Sequence, residues 1–498
     1  MKKISLLILI VFSSIFMMDI YAQKAKAKEK TGHELIFNIK DASDEIVYLA
    51  IHYREKLILK DSTAPVAKGK YIFKGSNLYD DGLYTLVSQK RYPYLNFIID
   101  RNQQFEYSLD TTGNVEHIII KNSPENEEML AFQKKTMESQ KKMQEWQKKR
   151  SEFETAGNSD SATYYLTKMN NLNDGMLDFI QSLINRNPNY LFSKMQKAYM
   201  NIEVPEIKNE DGTLNTEAQA AYYRSHYWDN IDLSDHRFIF LPVFEPKVKE
   251  YFTKILWYQE TDTINKYIDM VLAKTETDSL MFRYFVDWLS YQFETSKIIG
   301  HDAIFVHLAK NNQLKGKCPW MDEDLIRKYE KRVSRIEPLL IGKQSVELII
   351  PDTSQTDDFT KWHSSYKMPK KYVILWFYDP DCPTCKKESA NLRILYDSLE
   401  TAGTRNFDVY GIGNDADIDR WKKYVKDQNY PWLNVGGNKA NVDYLETYNI
   451  YESGNPTMFI LNEKREIILN KRIDMFSIPE FLQQYEKIEA NKRARENK

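Results

Sequence analysis

From residue 33 onward the chain first carries short bursts of apolar residues separated by turn signals. Glu34–Ile39, Ile46–Ile51, Tyr71–Phe73, Leu83–Val87, Leu95–Ile99 and Val115–Ile120 follow one another, with Lys68-Gly69-Lys70 and Asp81-Gly82 as punctuation between them. Short strands spaced in this way predict a small antiparallel β-sandwich over residues 33–122, and nothing in it reads as catalytic. At Ser123-Pro124-Glu125 the pattern changes to a helix start. Glu125 to Phe153 is highly charged, with Met137, Met143 and Trp146 at wide helical intervals. Glutamates interrupt its basic face, so a solvated helix or helical hairpin is favoured over a membrane-facing one. Helical periodicity continues from 159 to 335 through Ala220–Trp228, Val248–Leu256, Ile264–Ala273 and Met281–Phe293. Residues 123–335 therefore form a helical region. Its aromatic density reads as core, and His226 and His236 read as structural histidines within it.

After Ile341-Gly342 strands and helices alternate. A strand near Val346–Ile350 is followed by Tyr372–Tyr378, a helix to about Leu399, a strand at Phe407–Ile412 and a helix at Ile418–Asp427. Then come an extended Trp432–Val435, a helix near Val442–Tyr448, two strands at Thr457–Leu461 and Glu466–Leu469, and a last helix from Ile478 to about Asn491. Alternation closed by a hairpin predicts an α/β sheet covered on both sides over residues 341–492.

The chemistry-bearing motif of the chain lies in this last domain. Val373–Phe377 is short, unbroken and apolar, as a strand buried on both faces should be. Cys382-Pro383-Thr384-Cys385 follows it. Pro383 stands where a first helical residue needs no N–H, so Cys382 falls at the N-cap. Unpaired backbone N–H groups and the helix dipole favour a thiolate there, and the thiolate is the species that attacks disulfides. Cys385, one turn on and less exposed, would be the resolving thiol. A structural disulfide across four residues closes too small a loop to contribute much chain entropy. A zinc site would need a second cysteine or histidine pair, whereas the only other cysteine is Cys318 and none of the eight histidines lies near the motif. No metal is therefore expected. Cys318, in Lys315-Gly-Lys-Cys-Pro-Trp ahead of another helix start, reads as a small core residue, the alternative being a regulatory thiol.

Composition places this motif in a compartment. Lys2 and Lys3, an apolar run from Ile4 to Met18 and Ile20-Tyr21-Ala22 predict a signal peptide over residues 1–22, because the run falls short of the roughly 20 residues that span a bilayer. Left uncleaved, the segment would act as an anchor. No cysteine stands at the cleavage point for lipid attachment. With 498 residues and 42% hydrophobic content the chain can bury several cores. Removing residues 1–22 takes away two lysines and one aspartate, moving the net charge from -2 to -3, which gives no reason to expect nucleic acid. Three cysteines in so long an exported chain mean that disulfides do not staple the fold.

The stretches WFYDPDCPTCKKE at 376–388 and Gly454-Asn455-Pro456-Thr457-Met458-Phe459-Ile460 resemble the thioredoxin fold of exported, TlpA-like thiol-disulfide oxidoreductases. The resemblance implies that Pro456 is a cis-proline facing the CxxC pair and that Asn455 pairs with substrate backbone. It also implies that Pro383 and Thr384 contribute to the helix start. The 74 positions from Cys382 to Pro456 leave room for the extra βα unit of TlpA-like proteins. The β-rich start and the helical middle, with YYRSHYWDNIDLSDHRFIFLPVF, resemble the modules that precede such domains in secreted Bacteroidota proteins. Two departures stand out: the buried aspartate of thioredoxin falls at Trp376, and the tryptophan before its first cysteine falls at Asp381. Lys386 and Lys387 favour a Cys382 thiolate, whereas Asp379 and Asp381 oppose it.

The expected function is a cell-envelope or periplasmic enzyme that reduces disulfides of exported proteins. It needs no cofactor beyond the Cys382/Cys385 disulfide and is recharged by a membrane electron donor. A disulfide-donating oxidase or isomerase is the alternative within the class. A client-binding protein that uses the fold only as a scaffold is the alternative outside it.

Overall fold

The computed structural model describes residues 32–353, 361–415, 417–437 and 439–496; the predicted signal segment lies outside the described residues. The chain divides into two compact units, up to Tyr258 and from Gln259 onward.

In the first unit the strands are β1 (His33–Lys40), β2 (Val47–Tyr53), β3 (Lys56–Thr63), β4 (Pro65–Ala67), β5 (Lys70–Gly75), β6 (Gly82–Val87), β7 (Pro93–Ile99), β8 (Gln104–Asp110) and β9 (Ile119–Lys121). They form two sheets, ordered β4-β5-β1-β8-β9 and β3-β2-β6-β7. Burial alternates along β1 and β8, so Leu35, Phe37, Phe105 and Tyr107 point inward, where they share one core with Leu49 of β2 and Phe97 of β7. The pairing is mixed. β1 is antiparallel to β5 but parallel to β8, which departs from the all-antiparallel expectation. The chain visits the other sheet between these two strands, and that long excursion lets β8 re-enter alongside β1 in the same direction.

Val115–Ile120 is also not one strand. Asn114 accepts a hydrogen bond from the Glu116 N–H and turns Val115–His117 into a 3₁₀ turn, leaving only Ile119–Lys121 extended. The helix Pro124–Thr155 begins where Ser123-Pro124 predicts, and it pairs with Ser159–Arg186 as a helical hairpin. Asn126 fixes its start: the amide Nδ2 donates to Ile98 O (2.8 Å) and Oδ1 accepts from Ile98 N (2.7 Å), so one side chain satisfies the outer edge of β7. His226 lies 2.6 Å from Asp229 and stacks on Tyr222, as a structural histidine does, and His236 opens the 3₁₀ turn His236–Phe240.

The second unit begins with helices Thr261–Thr275, Ser279–Glu294, His301–Leu308 and Glu323–Ile336. A two-stranded pair follows, β10 (Ile349–Pro351) with β11 (Trp362–Ser364). The five-stranded sheet is built from β12 (Tyr372–Tyr378), β13 (Phe407–Gly413), β14 (Leu433–Gly436), β15 (Thr457–Leu461) and β16 (Ile467–Leu469), in the order β14-β13-β12-β15-β16. β12 is central and every residue of it is buried. Ile374, Trp376 and Tyr378 enter one core with Cys385 and Leu392, while Val373, Leu375 and Phe377 enter another with Tyr448 and Phe459. This two-faced burial explains the unbroken apolar run. Helices Pro383–Thr401, Ile418–Gln428 and Ile478–Glu496 complete the domain. The helix expected near Val442–Tyr448 is instead two single turns, Tyr444–Thr447 and Ile450–Ser453, divided by Asn449 at φ 54°.

Candidate active site

β12 delivers the chain to Asp379, whose carboxylate accepts from the Asp381 N–H (2.7 Å) and whose carbonyl accepts from the Cys382 N–H (3.1 Å). This tight turn aims Cys382 at the mouth of the helix Pro383–Thr401. Cys382 is its N-cap, and its Sγ accepts the Cys385 backbone N–H at 3.2 Å. A sulfur in that position receives one of the donors that a helix N-terminus leaves unsatisfied. Pro383 occupies the first turn, and Pro383 and Thr384 are exposed. Cys382 is half-buried and Cys385 fully buried, and both are free thiols. Burial pushes the Cys385 thiol up, the neighbouring Cys382 sulfur adds to the rise, and the Asp379 backbone partly offsets it.

Facing Cys382 lies the loop Gly454–Pro456. The Cys382 thiol points at Asn455 O, 3.7 Å away, and the Asn455–Pro456 peptide is cis. The Asn455 side chain is itself held: Asn414 Nδ2 donates to its Oδ1 at 2.8 Å, and the Asn414 N–H donates to Tyr378 O at 2.8 Å. The residues just past the ends of β12 and β13 therefore tie the Asn455 loop to the Cys382 turn. Beneath them Trp421 Nε1 donates to Tyr378 Oη (3.0 Å), which donates to Asn434 Oδ1 (3.1 Å). Trp421 covers Gly413 so closely that a Cβ there would stand 2.0 Å from its Nε1, which requires a glycine.

The structure brings Cys382 and Cys385 together at the helix start, with Pro383 and Thr384 exposed in its first turn and Asn455 O, before the cis-Pro456, facing the Cys382 sulfur. Trp376, at the site of the expected departure, is buried and donates from Nε1 to Ser389 Oγ (2.9 Å). Two residues escaped the sequence reading. One is Asn414, whose signal would have been a polar residue at the end of a buried strand. The other is Arg420: its guanidinium grips Asp415 through Nε (2.7 Å) and Nη2 (2.6 Å) and reaches Asp381 through Nη1 (2.7 Å). The carboxylate next to Cys382 thus has a cationic partner, which the flanking sequence does not reveal. Cys318 is buried and is not among these residues, and burial raises its thiol to about 11. Among the described residues no group of three or more His, Cys, Asp or Glu side chains is arranged to hold a metal ion, and no helix is long and apolar enough to cross a membrane.

Comparison with known proteins places two regions. Residues 370–467 match a family described as thioredoxin-like, and residues 137–336 match a domain of unknown function, DUF5106. A thioredoxin-like protein from Bacteroides caccae is 19% identical over 57% of this chain and 98% of its own, with a TM-score of 0.43. A domain of a possible thiol-disulfide isomerase from Cytophaga hutchinsonii is 30% identical over 31% of this chain and 98% of its own, with a TM-score of 0.27. The thioredoxin domain of a thiol-disulfide oxidoreductase from Bacteroides vulgatus is 22% identical over 28% of this chain and 96% of its own, with a TM-score of 0.24. No curated protein matches the chain. The thioredoxin-like match spans β12, the Cys382–Cys385 turn and the Asn455–Pro456 loop together, so residues 370–467 of this chain form a thioredoxin-like domain.

Proposed function

We propose that the protein is an exported, TlpA-like enzyme of the cell envelope or periplasm that reduces disulfides of exported proteins through Cys382 and Cys385. The observation that carries this reading is the placement of Cys382 Sγ on the Cys385 N–H at a helix start, with a buried thiol one turn behind it. The Cys382 thiolate attacks one sulfur of the substrate disulfide; that S–S bond breaks, a Cys382–substrate disulfide forms, and one substrate thiolate leaves and takes a proton. Cys385 then loses its proton and attacks the Cys382 sulfur, forming the Cys382–Cys385 disulfide and releasing the second substrate thiol. Two electrons pass from the dithiol to the substrate. No further cofactor enters, and a membrane electron donor restores the pair. Asn455 and Pro456 receive the substrate backbone beside Cys382, where Asn455 O already faces the sulfur. The two N-terminal sheets around one core form a β-sandwich with one parallel pair, an accessory module to this chemistry.

The test is a Cys385→Ala variant expressed with its export segment. It should accumulate mixed disulfides through Cys382 that dithiothreitol releases. Preserved biological function in a Cys382→Ala/Cys385→Ala variant would instead make the fold a scaffold for client binding, and net oxidation of reduced clients would make the protein a disulfide donor.

A further inference from the structure

The loop that carries Asn455 and Pro456 is held from two sides, and the second side is not part of the redox domain's own sheet. Toward the cysteines, Asn414 and Cys382 meet Asn455. Away from them, the two short turns leading into the loop are gripped by the helix Glu323–Ile336. Arg335 presents Nε and Nη2 to Glu446 Oε1 at 3.0 and 2.9 Å, with Nη2 also 3.1 Å from Oε2, and its Nη1 bonds Glu452. Arg332, one turn earlier, bonds the other oxygen of Glu452 and lies 3.2 Å from Glu294 at the end of the helix Ser279–Glu294. Glu446 belongs to Tyr444–Thr447 and Glu452 to Ile450–Ser453, which ends two residues before Asn455.

An isolated surface ion pair contributes little, but this is a network of two guanidinium groups sharing one carboxylate, and Arg335 is only 16% exposed. Tyr444, Tyr448 and Ile450 anchor the inner side of the segment in the domain core, and the arginine network holds its outer side. Each turn is four residues long, too short for an autonomous helix. Asn449 and Gly454 both sit at positive φ, marking the two bends where the segment changes direction. Burial raises the Glu452 carboxyl while Arg335 and Arg332 prevail and hold it below the usual range, so Glu452 stays charged at neutral pH. Both arginines lie within residues 137–336, the region matching the domain of unknown function.

We infer that Arg332 and Arg335 are positioning residues, through which the last accessory helix sets the Asn455–Pro456 loop for protein substrates without altering the reactivity of Cys382 itself. This rests on the proposed disulfide chemistry and assigns one task to the helical module: it positions the substrate-binding loop. Small reagents that need only the sulfur should not sense it. Protein disulfides, which need the loop backbone, should.

The experiment compares the full chain with an Arg332→Gln/Arg335→Gln variant and a charge-keeping Arg332→Lys/Arg335→Lys variant. Amide hydrogen exchange over residues 449–457 should quicken by about tenfold in the glutamine variant and return most of the way in the lysine variant. The rate of Cys382 alkylation by iodoacetamide should stay within about twofold, while kcat/KM for insulin disulfide reduction drops by about tenfold, chiefly through KM. Unchanged loop exchange would overturn the inference. Equal losses with iodoacetamide and insulin would also overturn it, because they would mean general damage to the redox domain. A wild-type protein inactive on insulin, but with a loop that loosens in the glutamine variant, would refute the reductase reading and leave the positioning role standing.

Discussion

Cys318-Pro319 and Cys382-Pro383 are the same dipeptide, each ahead of a helix in the second unit, and their surroundings differ in register, burial and partner. Cys382 is the N-cap itself, with Pro383 as the first helical residue. Cys318 stands five residues before Glu323, and Asp322 takes the cap by accepting the Leu325 N–H at 2.8 Å. Cys382 is half-open to solvent with Cys385 one turn behind, whereas Cys318 is 4% exposed and burial lifts its thiol to about 11, with Asp287 adding to the rise. A cysteine followed by proline is thus not itself a redox signal. What matters is whether the sulfur coincides with the unsatisfied end of the helix, since only there do free N–H groups meet the thiolate.

The largest effect that separates the two sites is on turnover. Cys382→Ser should lower protein-disulfide reduction by a factor on the order of 10³ or more, while Cys318→Ser stays within about twofold in the same insulin assay. Next comes the proton of Cys318. The folded protein keeps it up to about 11, whereas an unfolded thiol releases it near 8.5. The stability this contributes is present below the unfolded value and lost as pH rises toward the folded one. Urea melts of the wild type should therefore weaken more between pH 8 and pH 10.5 than those of Cys318→Ser; parallel losses would show that Cys318 is not buried as a thiol.

A smaller effect concerns Asp381. Arg420→Ala removes its partner and should slow Cys382 alkylation by roughly two- to tenfold at neutral pH and low salt without touching Cys318, and adding Asp381→Asn should restore the rate. The smallest is at the other helix start, where Asp322→Ala should cost about 1 kcal/mol in a denaturant melt and leave insulin reduction unchanged.

Much of this was legible in the sequence because burial writes directly on it. β12 reads as an unbroken apolar run since both its faces enter cores, and Cys382-Pro383 announces the helix start through the missing proline N–H. Less legible were elements whose residues keep no burial rhythm. β3 is almost wholly exposed along Lys56–Thr63, so its apolar Leu57, Ile58 and Leu59 form no alternating face to read. The Val115–Ile120 run looks like a strand until Asn114 caps its first turn. The contacts that complete the site were invisible for a different reason. Arg420 meets Asp381 from 39 positions away, and Arg335 meets Glu446 from 111, so only the fold brings these charges together.

The most direct test of the account is to equilibrate the purified protein in glutathione and dithiothreitol buffers and follow each cysteine by mass-resolved alkylation. Cys382 and Cys385 should lose their thiols together, as one two-electron couple with a potential nearer about -270 mV than about -120 mV, while Cys318 stays alkylatable after unfolding at every setting. Oxidation that links Cys318 to either partner, or a pair that stays reduced across the whole range, would contradict it.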